Sequence, residues 1–258
     1  MAIAAEEFEP AGIRPTRSRF HVWIAAACVA IAFVGFAPTY WLPIATGTLT
    51  GFKPVVHLHG LVFFCWPVFF LYQSWLVASG RTARHRSVGL IGVSLATAML
   101  IFGVAAGINS AQVAEANGFG DAGRQLLIVP LSTILTFAVL VALAIANVRR
   151  PEVHRRLLTV ASVSIVAPAV ARLFLVALGI DRSAGSPPPP IAAALVPALV
   201  IDLLLVAAVV YDWRSEGRVH PAYKWSIGAV VAGQILRVPF GHTEMWQSIA
   251  SAIVRLGG

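Results

Sequence analysis

The sequence predicts an all-α, polytopic transmembrane bundle of about seven helices. Three observations predict it. Hydrophobic residues make up 58% of the chain and charged residues only 12%, whereas soluble domains average about 25% charged. Mean hydropathy is +0.81. The apolar residues gather into seven runs, near 20–43, 55–79, 87–109, 126–148, 157–180, 191–213 and 225–240, separated by short turns. A spanning helix needs about 20 residues, which the first six runs supply. Lipid can cover an apolar exterior that a soluble fold of this size would have to cover with polar groups.

The elements follow in order. Residues 1–19 read as a cytoplasmic leader carrying Glu6, Glu7, Glu9, Arg14, Arg17 and Arg19, and residues 20–258 as one transmembrane domain. The run after Phe20 is too long for a secretory signal. It ends in bulky Tyr40 and Trp41, not in a small-residue cleavage site, so it reads as a retained helix. The second run opens at Pro54, which suits the first turn of a helix. Ser186 and Pro187–Pro190 form a stiff spacer before the sixth run. The seventh run is short and holds Arg237 and Pro239. A kink is expected there, with residues 243–256 continuing as an amphipathic helix at the membrane surface.

Basic residues set an orientation. Arg14, Arg17, Arg19, Arg81, Arg84, Arg86, Arg149, Arg150, Arg155, Arg156, Arg214, Arg218 and Lys224 fall on one side, thirteen in all, against Lys53, Arg124 and Arg182 on the other. The positive-inside rule then places the N-terminus in the cytoplasm and the C-terminus outside. The net charge of +8 is accounted for by these turns. It suits anionic lipid headgroups and excludes nucleic acid as the expected partner. Three of the basic turns end in a histidine just before the next helix. These are His85, His154 and His220, spaced 69 and 66 residues apart, as in three related hairpins following one added helix. Chance similarity of short basic turns is the alternative. Cys28 and Cys65 lie inside apolar runs and read as packing residues. Trp23, Trp41, Trp213, Trp225 and Trp246 read as interfacial belt residues.

Chemistry is sought where polar groups interrupt apolar runs, since a charge at membrane depth is costly. Arg172, Asp202 and Arg237 qualify. At ~1.5 Å per helical residue they lie roughly 22, 14 and 17 Å from the cytoplasmic side. Two readings compete. One is an ion pair between Asp202 and Arg237 that locks two helices. The other is a polar site for a small, anionic or carbonyl-bearing ligand, formed by Arg172, Asp202, Gln234, Arg237 and His59. A second candidate set is metal-ligating: His57, His59, His85 and His154. Neutral imidazole ligates haem iron or a transition metal. Residues two apart on a helix point away from each other, so His57 and His59 share a metal only if their turn is frayed. Hydrogen-bonded structural histidines are the plainer alternative, and His21 reads as a surface residue. Nucleotide-binding, zincin and hydrolase motifs are absent.

The motif His57-Leu-His59-Gly60, Trp66, Gln73 and Gly80-Arg81-x-x-x-His85-Arg86-x-x-Gly89 resembles a group of uncharacterised bacterial multi-pass inner-membrane proteins. So do Pro151–Leu157 with Pro168 and Arg172, and Asp202 with Tyr211-Asp212 and Gly217–Pro221. The resemblance implies a bacterial inner-membrane location and no particular activity. Three functions stay open: a ligand-binding or transport protein, a haem or metal protein using membrane histidines, and an accessory subunit with partner subunits or a homo-oligomeric assembly.

Overall fold

In the computed structural model, residues 19–49, 53–180 and 186–256 are described. The leader up to Ser18 and Arg182 lie outside them. Among the described residues the chain is helical and strand-free. Six helices are long and apolar enough to cross a bilayer: α1 (Phe20–Ala45), α2 (Pro54–Ala78), α3 (Thr82–Ala116), α4 (Gly120–Ala146), α5 (Pro151–Ala177) and α6 (Ile191–Glu216). The chain is a multi-pass membrane protein. The outer face of the bundle carries what lipid contact requires. Leu90, Leu199, Leu203 and Leu236 are all more than 60% exposed, an arrangement water would penalise.

The seventh segment is a helix as well, α7 (Pro221–Gly241), but Lys224, Gln234 and Arg237 keep it out of the six. Pro239 lies inside α7, which runs one short turn past it to Gly241. The chain then enters α8 (Glu244–Leu256). Trp246, Ala250 and Val254 of α8 recur every fourth residue, so they share one face and are buried. That face packs on the ends of α3 and α4. The Trp246 indole donates to the Arg124 carbonyl at 2.8 Å. Trp246 is therefore a packing residue, where the sequence placed it in an interfacial belt; Trp23, Trp213 and Trp225 are well exposed.

The centre of the bundle is α5, which touches α1, α2, α4, α6 and α7. It is broken. Its first half ends at Ser164 and its second begins at Ala167. Pro168 explains the break: its nitrogen cannot donate, and its ring excludes the carbonyl that would sit one turn before it. Around α5 the packing is close. Gly35 of α1 faces Ala169, and a Cβ at Gly35 would collide with the Ala169 carbonyl. Trp66 of α2 donates its indole N–H to the Ser162 hydroxyl at 3.1 Å and meets Phe137 edge-on. A π-turn over Ala37–Trp41 bends the end of α1.

Gly35→Ala forces backbone apart and is expected to cost about 1–3 kcal/mol, read as a lower unfolding temperature in detergent. Gly89→Ala, where a Cβ meets nothing within 4 Å, is the matched control. Equal behaviour of the two variants would contradict the close α1–α5 approach.

Candidate functional site

Arg237 sits near the end of α7 and is buried. Its guanidinium donates to the Thr133 hydroxyl of α4 at 3.3 Å and to the Ala194 carbonyl of α6 at 3.5 Å. Its Nε has no partner. Asp202, also buried, instead accepts a hydrogen bond from Gln234 at 3.2 Å. Gln234 and Arg237 are three apart on α7 and so share a face. The amide, not the guanidinium, meets the carboxylate. Asp202 and Arg237 thus come together on neighbouring helices, but the direct ion pair that the locking alternative requires is not formed.

A cavity of about 40 Å³ opens beside Arg237. Ser132, Thr133 and Thr136 of α4 bring hydroxyls to it. Ser164 and Ala167 bring the break in α5, and Gln234 the amide of α7. The start of the second half of α5 therefore borders the cavity. At this break the Ile165, Val166 and Ala169 N–H groups are bonded to the Ala161, Val163 and Val166 carbonyls, Pro168 has no N–H, and the end of the first half lies beside the start of the second. The Ser132, Thr133 and Ser164 hydroxyls donate their protons to the Val129 and Val160 carbonyls, so the Arg237 guanidinium is the cationic group that borders the space.

The other expected ligand residues separate from this cavity. Arg172 lies in the second half of α5 with its guanidinium over the Phe36 ring at 5.3 Å. His59 packs on Phe63 with ring centres 4.0 Å apart. The five proposed ligand residues thus divide into a trio, Asp202, Gln234 and Arg237, and an outer pair, His59 and Arg172.

The histidines divide too. The turn holding His57 and His59 is helical from Pro54 onward. His57 is exposed and bonds the Tyr40 hydroxyl at 3.1 Å, while His59 turns inward, half-buried. His85 and His154 come together across α3 and α5, with ring centres 6.3 Å apart. His220 does something else: it is the N-cap of α7, and its Nδ1 accepts from the Ala222 N–H at 3.1 Å. His85 and His154 are each the fourth residue of their helix, but His220 precedes its own. Among the described residues no three His, Cys, Asp or Glu side chains gather as a metal set. His21 packs against Tyr211 and bonds the Thr159 hydroxyl at 3.3 Å, so it is not the plain surface residue expected.

Sequence reasoning missed one constellation. Arg156 was counted with the basic turns, yet its side chain is 0% exposed. Its Nε donates to both Asp212 oxygens, at 2.9 and 3.1 Å. Nη1 donates to Glu152 at 2.7 Å and Nη2 to Glu216 at 2.5 Å. Tyr223 lies 5.7 Å from the guanidinium. Asp212 in turn accepts from the His220 backbone N–H at 2.8 Å. The signals were present: Glu152 and Arg156 are four apart, and Asp212 sits in the last turns of an apolar run. The cavity hydroxyls carried no such signal, because Ser and Thr are common in membrane helices.

No family model, curated protein sequence or solved structure matches the chain.

Arg156→Gln leaves Asp212 buried without its charge partner. A loss of about 3–5 kcal/mol is expected, measured by unfolding in detergent. Asp212→Asn in the same chain should recover part of it. Additive losses in the double variant would show that the two groups act separately.

Proposed function

We propose that the chain is a seven-crossing inner-membrane protein that binds, and by extension carries, a small anion in the cavity beside Arg237. One observation carries this reading. Arg237 is a buried cation in a bundle of apolar helices, its nearest acidic group is bonded to Gln234, and it borders a small open space. A buried cation without a direct ion pair is costly there; an anion offsets it. The cavity of about 40 Å³ has room for a halide or a bicarbonate- or formate-sized species. Thirteen basic residues on one side support an N-terminus in the cytoplasm and contact of Arg81, Arg84 and Arg149 with anionic headgroups. The odd number of crossings then rests on α7, whose Gln234 and Arg237 face the cavity.

The test is anion-dependent stabilisation of the purified protein in chloride, bromide, bicarbonate and formate, against a bulky anion such as gluconate. A binder of the native state raises the unfolding temperature. Wild type should be stabilised by one or more of the small anions and not by gluconate. Arg237→Gln should weaken that binding at least tenfold, as expected when a charge-assisted hydrogen bond of ~1.5–3 kcal/mol is removed. Asp202→Asn should retain it or strengthen it. Equal anion response in wild type and Arg237→Gln would refute the reading.

A further inference from the structure

The basic end of the bundle holds a second arrangement that the anion site does not use. His154, in the first turn of α5, has its Nδ1 2.8 Å from the Ala144 carbonyl at the end of α4. A carbonyl only accepts, so Nδ1 carries the proton and donates it. Nε2 is left as a bare lone pair. His85 lies in the first turn of α3. Its own Nδ1 is buried with no partner. His154 is therefore anchored through one nitrogen to a helix backbone and offers the other, and His85 keeps its Nδ1 unpaired. The rings face one another at 81°, with centres 6.3 Å apart. Gln73 adds a third sign of an unfilled polar site: it is buried, and neither its amide oxygen nor its amide nitrogen has a partner.

A histidine that donates one N–H to a carbonyl and keeps the other nitrogen free is the usual state of a metal ligand, because the donated bond fixes the tautomer and the ring direction. Two imidazoles on one ion, with metal–nitrogen distances of ~2.0–2.1 Å, have ring centres roughly 5 to 6.5 Å apart. The observed separation falls in that interval, toward its wide, near-linear end. The charge of the ion is constrained as well. No carboxylate or thiolate joins the pair among the described residues. Glu152, the nearest acidic residue along α5, is held by Arg155 and Arg156, and Arg86 adjoins His85 in the chain. Neutral ligands beside an arginine leave a divalent ion with its whole charge uncompensated. A monovalent ion that accepts two nitrogen donors fits better.

We infer that His85 and His154 form a two-imidazole site for monovalent copper at the basic end of α3 and α5. The site spans three helices, since the ligands belong to α3 and α5 and the Ala144 anchor of His154 to α4. It lies at half-buried positions, so an ion reaches it from the aqueous side.

The test uses the full chain in detergent, titrated anaerobically with Cu(I) against a chromogenic chelator. One ion per chain is expected. His85→Gln and His154→Gln should each weaken binding at least tenfold, and His242→Gln, an exposed histidine bonded to Val238, should not. X-ray absorption of the loaded wild type guards against variants that fail to fold; it should show two imidazole nitrogens at the copper. The inference is overturned by no retention against the chelator, by equal affinity in the histidine variants, by sulfur scattering from Cys28 or Cys65, or by tighter binding of Zn(II) than of Cu(I).

Discussion

The fully buried guanidinium of Arg156 is the contact on which the arrangement of the last three helices rests. It belongs to α5 and reaches two carboxylates of α6, Asp212 and Glu216, while Glu152 closes on it from its own helix. Asp212 then holds the His220 N–H, at the residue that caps α7. One cation thus ties α5 to α6, and one of its counter-ions fixes where α7 begins. Gly217 ends α6 with φ +70°, a left-handed conformation that glycine adopts without strain. The turn between α6 and α7 is therefore specified by backbone geometry at one residue and by charge at the next. A buried pair of this kind contributes little net stability compared with an apolar substitute, but breaking one side of it is costly. That asymmetry favours a single docking of α7.

The position of α7 matters because it carries Gln234 and Arg237 toward the opposite end. With its start fixed by Asp212, its polar face lies against the break in α5. The same helix α5 thus supplies the anchor at one end and, through Pro168, the interruption at the cavity. The backbone at such an interruption cannot face lipid, and here it borders a small space lined by residues of α4, α6 and α7. The preference of Asp202 for Gln234 follows from this geometry. The amide reaches the carboxylate first, and Arg237 remains turned to the hydroxyls of α4.

Much of the fold was legible because bilayer thickness imposes run length directly on sequence. Six of the seven apolar runs became helices fit to span. The boundaries were less legible: α3 begins at Thr82 and extends to Ala116, well beyond its apolar run, because solvated turns of a helix need no hydrophobic residues. Within the site, Asp202, Gln234 and Arg237 were legible from the cost of burying charge and polarity in lipid. Arg172 carried the same signal but is turned toward α1, since depth along the membrane normal says nothing about rotation around it. Arg156 was hidden because a charge at the end of a run resembles a topology signal, and only the packing of Asp212 and Tyr223 distinguishes the two. Trp246 was misplaced for a related reason: a tryptophan near a helix end suits both an interface belt and a docked amphipathic helix.

The central claim is that Arg237 is held open to a small anion and is not neutralised by its own neighbours. Bromide makes this directly observable, because it scatters anomalously and is close in size to the cavity. A structure of the bromide-soaked protein is expected to show one anomalous peak within hydrogen-bonding distance of the Arg237 guanidinium, beside Ser164 and Thr133, with Asp202 still bonded to Gln234. An empty cavity with the Asp202 carboxylate in direct contact with Arg237 would contradict the account.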